Sequence, residues 1–314
     1  MNRLNHTQIL PVTAVIALFS TPLLAQPEAP EPTDSQETST TTLVERNGKD
    51  IQWSSTASTT YFNETDFDDG TGSLESWSTK AGIAASMDLG EGRFSVGFDA
   101  EQISYDFTAL AGGGSSFDDV TTLTLSSTYM GRIDDDSSWF AGGSARASYE
   151  SGASFDDSIA GGVYGGYRHN VTDKLDLGLG IGVFTRLEDD VLIVPIPQIR
   201  YDMGNGWSLE NERIGLKLNY KMNDSVTMAL SAEYKSRSFR LDDSNAVSAG
   251  ATTESNIPVA FVVRYAPNKK VSLHGRVGAG FGGELEFFNA AGTSVSSRDL
   301  ETSIFFGFGG SIRF

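Results

Sequence analysis

From Asp50 to the end of the chain, apolar residues recur at every second position. That is the spacing of strands with one greasy face. In Trp77–Leu89 the apolar set is Trp77, Ala81, Ile83, Ala85, Met87 and Leu89, and the facing set includes Ser78, Lys80, Gly82 and Ser86. In Val271–Phe287 one face takes Val271, Leu273, Val277, Ala279, Phe281, Leu285 and Phe287. The other takes Ser272, His274, Arg276, Gly278, Gly280, Gly282, Glu284 and Glu286. Leu175–Leu187, Val226–Ser238 and Ile257–Tyr265 behave likewise, and helical spacing appears nowhere with comparable persistence. The runs last about 9 to 16 residues, against about 5–6 for strands of soluble domains and about 9–11 for a tilted strand crossing a bilayer.

The connections sort by length. Short ones carry turn chemistry: Gly90-Glu91-Gly92, Asp134–Ser137, Thr172-Asp173, Gly204-Asn205-Gly206, Asn223-Asp224 and Asn268-Lys269. Long ones lie near Thr65–Ser76, Thr108–Asp119, Ser151–Asp157, Glu188–Asp190, Asp242–Ser255 and Asn289–Asp299. Short turns on one side and long loops on the other are the habit of a transmembrane barrel. Tyr129, Tyr167, Tyr201, Tyr220 and Tyr265 precede short turns, while Trp139 and Trp207 follow them. Amphipathic aromatics at one depth fit a lipid–water boundary. The count is an all-β, antiparallel up-and-down barrel of about fourteen strands, with twelve as the alternative. It depends on reading Trp207–Met222 as a short hairpin around Glu212-Arg213.

Charge divides along the same lines. The apolar faces are almost free of ionised groups, whose exposure to midplane lipid costs about 2–4 kcal/mol. The opposite faces carry the lumen charges, among them Arg146, Glu150, Arg168, Arg186, Arg276 and Glu284. Pairing between Arg146, Glu150 and Arg168 on neighbouring strands is the expected arrangement.

The first 48 residues differ. Met1–Ala25 has a basic start at Arg3, an apolar stretch from Ile9 to Phe19 and a small residue at Ala25, the anatomy of an export signal cleaved near that point. Residues 26–48 form an acidic, Pro- and Thr-rich linker too poor in apolar residues to pack, and residues 49–314 form the barrel. The formal net charge is −18, which excludes a nucleic-acid binder needing a basic face. There is no cysteine, hence no disulfide and no thiolate chemistry.

Candidate chemistry is sparse. The three histidines include only His169 and His274 beyond the leader, with no metal-ligand spacing. Gly278–Gly283 matches a dinucleotide-binding pattern but lies inside a strand. The acidic pairs Asp68-Asp69, Asp118-Asp119, Asp156-Asp157, Asp189-Asp190 and Asp242-Asp243 fall in or beside long loops, as solvated surface or as carboxylates for a divalent cation. No catalytic, cofactor-binding or metal residue is assigned.

The last strand is the most specific feature. Leu300, Thr302, Ile304, Phe306, Phe308, Gly310, Ile312 and Phe314 share a face and end the chain on an aromatic. This resembles the closing strand of bacterial outer-membrane β-barrel proteins, and the chain is similar to outer-membrane barrel families of unknown function. The resemblance implies that Phe306, Phe308, Ile312 and Phe314 form a signal read by the barrel-assembly machinery. It also implies a place in the outer membrane of a Gram-negative-type bacterium, among outer-membrane lipid and lipopolysaccharide. The expected role is passive, a small-solute pore or a structural surface protein without catalysis or cofactor. A lipid-modifying enzyme of the outer membrane and a soluble, adhesin-like β-protein are the alternatives.

Overall fold

The computed structural model describes residues 51–108, 117, 119–187, 191–245, 247 and 249–314. The export signal, the linker, Asp118 and the Asp189-Asp190 pair lie outside them. Sixteen strand segments form fourteen staves, because two staves are each broken once. The first ten are β1 (Gln52–Asp66), β2 (Ser73–Leu89), β3 (Gly92–Thr108), β4 (Asp119–Arg132), β5 (Ser137–Glu150), β6 (Ile159–Thr172), β7 (Leu175–Phe184), β8 (Leu192–Gly204), β9 (Trp207–Asn211) and β10 (Gly215–Lys221). β11 (Val226–Glu233) and β12 (Lys235–Arg240) are one stave interrupted at Tyr234, since both pair with β13 (Ala251–Tyr265). β14 (Val271–Phe288) follows, and β15 (Ser294–Leu300) with β16 (Ser303–Arg313) makes the last stave, interrupted at Glu301-Thr302.

Each stave pairs antiparallel with its neighbours in sequence, and β1 pairs with β16 from Ser54↔Arg313 to Phe62↔Phe305. Trp53 and Phe314 exchange backbone hydrogen bonds of 3.1 and 3.0 Å, which seals the joint. The sheet is therefore closed, and a closed sheet leaves few backbone groups unpaired in lipid. Fourteen staves stand, and the Glu212-Arg213 hairpin with them: β9 and β10 pair from Tyr220↔Trp207 to Leu216↔Asn211.

The short turns satisfy their own backbone. Asn223 Oδ1 accepts from the N–H groups of Ser225 and Val226 at 2.9 Å, and Asn268 Oδ1 accepts from those of Lys270 and Val271. The outer wall is greasy: Leu125, Val163, Leu179, Ile193, Leu230, Val277 and Phe306 are all exposed. The aromatics beside the short turns also face out, with ring centroids 5.2 Å apart for Tyr129–Trp139 and 4.8 Å for Trp207–Tyr220. They form the girdle the sequence predicts.

Toward the long-loop end the faces invert. On β3, Phe98 is exposed and Asp99 buried; four residues on, Gln102 and Ser104 are exposed while Ile103 and Tyr105 are buried. On β14 the switch is made by the backbone. Ile257 pairs with Phe281, but Ser255 pairs with Glu284, so β14 carries one extra residue at a bulge where Gly282 has φ +58°. Beyond it, Leu285 and Phe287 point inward and are fully buried. Glu284 therefore does not face the lumen, contrary to the sequence expectation. Its Oε1 accepts from Ser297 Oγ at 2.6 Å on the outer surface.

Candidate functional site: the barrel interior

The interior carries an apolar plug, a layer of paired charge and a glycine-lined stretch of wall. At the long-loop end is an apolar plug of Phe67, Leu74, Ile103, Tyr105, Phe117, Val120, Phe239, Leu241, Leu285 and Phe287, each nearly or wholly buried. It reaches from wall to wall: the Phe117 ring lies 4.8 Å from that of Phe239 and 6.3 Å from that of Phe287. Arg298, buried on β15, lies with its guanidinium carbon 5.6 Å from the Phe67 ring centroid and donates to Thr71 Oγ1. β12 crosses toward β5, where Arg240 meets Tyr149, and the Arg240 guanidinium donates to the Asp157 carbonyl. Glu150 ties down the next loop by accepting from the Asp242 N–H at 2.8 Å and the Asn245 amide at 3.4 Å.

Beneath the plug lies a layer of charge. Arg237 reaches both Glu101 (3.6 Å) and Glu254 (3.8 Å), so one guanidinium spans two walls. The Tyr105 hydroxyl donates to Glu254 at 2.6 Å and the Ser78 hydroxyl to Glu101 at 2.6 Å, which occupies further carboxylate lone pairs. Lys235 and Arg213 share Glu233 at 3.0 and 3.7 Å, and Lys217 lies 3.4 Å from Glu212. Lys80 stands 4.0 Å from Asp99. Charges held this way offset much of their desolvation by mutual pairing. Arg276 lies against Thr60 Oγ1 and over the Phe305 ring.

On β6 and β7 the inner wall is lined with glycine along most of its length. Inward Gly162, Gly166, Gly180 and Gly182 carry no side chain, and a Cβ there would overlap the rings of Phe140 or Phe184. The glycines let aromatic rings lie flat on the wall. Near the turns, Arg200 pairs with Asp176 at 2.7 Å.

The lumen charges expected from sequence are placed as follows. Arg146, Glu150, Arg168 and Arg276 sit at inward positions of their strands, and Arg186 lies two residues beyond β7. Arg168 and Glu150 do not come together. Arg168 is opposite Ser138, twelve residues along β5 from Glu150. Sequence reasoning missed Phe117, Arg213 and Arg298. Phe117 and Arg213 stand in connections, where face cannot be assigned by alternation, and Arg298 falls in a stretch read as loop.

His274 occupies an inward position, but His169 sits on the outer wall at the short-turn rim. Its Nδ1 is 3.1 Å from Ser137 Oγ, which also accepts from the Tyr167 hydroxyl at 2.9 Å. Among the described residues no three His, Asp or Glu side chains gather as metal ligands. The loop acids satisfy themselves: Asp242 accepts from the Ser244 hydroxyl and N–H, and those bonds hold its carboxyl below the ordinary carboxylate value. Asp69 is lowered in the same way by Thr71.

No protein-family model matches the chain, and no curated protein matches it in sequence. Solved structures resemble it in fold. An outer membrane channel from Pseudomonas putida F1 is 9% identical over 85% of this chain and 96% of that one, with a TM-score of 0.47. The Pseudomonas putida toluene transporter TodX is 10% identical over 83% and 89%, with a TM-score of 0.39. The translocator domain of the autotransporter NalP from Neisseria meningitidis is 10% identical over 86% and 90%, with a TM-score of 0.35.

Proposed function

We propose that the chain is an integral outer-membrane barrel with a passive role, whose lumen is closed to the outside at rest. The carrying observation is the wall-to-wall plug from Phe67 to Phe287 above a paired charge layer. An open porin keeps a wet channel through its length, whereas here buried rings 4.8–6.3 Å apart cross the long-loop end. The lipid-facing belt and the terminal alternation ending on Phe314 support the membrane placement. Small-solute passage then requires rearrangement of the plug or a route around it, and a purely structural role needs neither.

Single-channel conductance in a planar bilayer tests this. The parent is expected to show little or no steady ion current. The double variant Phe117→Ser, Phe239→Ser is expected to open frequent conducting events, because it hydrates the plug. A large, steady current in the parent would refute the closed lumen.

A further inference from the structure

Between the charge layer and the short turns, the two sides of the lumen differ in charge. On the β7–β8 side Arg200 has Asp176. On β13, β14, β16 and β1 the inward positions of this stretch carry Arg264, His274, Arg276 and Arg313 and, among the described residues, no Asp or Glu. Their strand neighbours Val263, Leu273, Val277 and Ile312 are exposed on the outer wall, which fixes the four as inward. A wall of one positive sign stands out in a chain of formal net charge −18.

Register gathers three of the four. Arg264 stands directly opposite His274, His274 opposite Gly309 and Gly309 opposite Ser58. In the next inward row, Arg276 stands opposite Gly307 and Gly307 opposite Thr60. Arg264 and Arg276 are therefore diagonal neighbours, with backbones about 7–8 Å apart. The two glycines of β16 set the side chains. A Cβ at Gly309 would meet His274 Cε1, and a Cβ at Gly307 would meet Arg276 Nε. Both side chains thus lie along the wall over bare backbone, as a flat cationic surface. Arg313, four residues nearer the short-turn end than Gly309, extends the same sign toward the mouth.

Within the protein this arrangement carries a cost. Like charges opposite one another on a sheet destabilise it, and half-buried cations without counter-ions keep part of their desolvation penalty. The half-buried side chains of Arg264 and Arg313 make no hydrogen bond or ion pair among the described residues. Arg276 gives one donor to Thr60 Oγ1 and lies over Phe305. The charge-layer acids Glu233, Glu101 and Glu212 act on it only from beyond ion-pair distance. A guanidinium has five N–H donors, so most of those on this wall are left for a ligand. Forked donors of this kind match an anion with several acceptor oxygens.

We propose that Arg264, His274 and Arg276 form a binding site for a small oxyanion, a phosphate or a carboxylate, that arrives past the short turns, the end away from the plug. The two guanidinium forks hold the anion from diagonal positions and the imidazole lies between them along the wall. Arg313 draws anions in by its field. The site depends on the closed sheet and not on any opening of the plug, so it goes beyond the passive role proposed above.

The test titrates the purified whole protein in detergent micelles, by calorimetry at fixed ionic strength, with inorganic phosphate and separately with acetate. One of the two anions is expected to saturate a single site, and which one does so names the ligand's acidic group. Arg264→Gln and Arg276→Gln are each expected to weaken that binding by about tenfold or more, while Arg200→Gln on β8 leaves it unchanged. Arg264→Gln removes no bond that the fold uses. Without anion it is expected to unfold at the same urea concentration as the parent or a higher one, and to lose the stabilisation that anion gives the parent. It therefore decides the matter alone should Arg276→Gln fold poorly. A folded parent that binds neither anion would overturn the site. So would Arg264→Gln binding as the parent does, or Arg200→Gln weakening binding equally, which would mean a diffuse lumen field.

Discussion

At the residue scale, Glu284 and Leu285 exchange the roles that simple alternation gives them. The cause is Gly282, whose positive φ is a conformation that costs other residues about 1–2 kcal/mol. One added residue turns an unbroken apolar parity from the lipid face to the plug. Nothing in the spacing of Val277, Ala279, Phe281, Leu285 and Phe287 betrays the turnover, since the chain spends its extra residue without breaking step. β3 shows the opposite case. There the apolar positions jump by three from Ala100 to Ile103, so the inversion is legible in the sequence itself. Two substitutions separate the roles. Leu285→Ala is expected to cost about 3 kcal/mol through the cavity it leaves. Glu284→Gln is expected to stay within about 0.5 kcal/mol, as surface changes do. Urea titration of the gel-mobility difference between folded and unfolded protein measures both, and equal losses would return Glu284 to the interior.

At the element scale, stave order and parity were legible because hairpin turns announce themselves. Asn223 and Asn268 bond the backbone two and three residues on, and such turns fix register. The breaks at Tyr234 and Glu301-Thr302 were not legible, because an interrupted stave keeps the composition of a continuous one. Topology makes a direct prediction. Cysteines replacing Asp156 and Asp243 are expected to react with an impermeant maleimide on intact cells, and those replacing Asp135, Asp173 and Asn268 only after lysis. The chain has no native cysteine, so the background is clean. Reaction of the second set on intact cells would reverse the assignment of inside and outside.

Over the whole molecule, closure depends on the first and last staves meeting. Phe306 and Phe308 pair with Tyr61 and Thr59, and the Tyr61 and Phe306 rings stand 5.1 Å apart. Phe314 adds the terminal backbone bonds to Trp53. Deleting Phe314 is therefore expected to leave export intact and to lower the amount of protease-resistant, heat-modifiable barrel in the outer-membrane fraction. Normal recovery of the variant would show that neither closure nor recognition by the assembly machinery needs the last residue. The interior was less legible than the wall. Alternation told which charges face in, but the partners of Arg237 come from β3 and β13, and no one-dimensional pattern shows which residues meet across a lumen.

The inversion of faces has a consequence for how the molecule comes apart. In the membrane placement proposed above, one end is held by the bilayer and turns outward what water rejects. The other is ordered as in a water-soluble protein, with its grease inside. The two halves thus answer to different solvents along the same strands. Urea at moderate concentration attacks apolar burial in water but leaves hydrocarbon-embedded staves in place. The long-loop end should melt first, as a foldon of its own. Backbone amides of Ile103 and Tyr105 would then exchange with solvent deuterium at urea concentrations where those of Phe98 and Val277 stay protected. A single transition for all four would mean that plug and belt hold each other up.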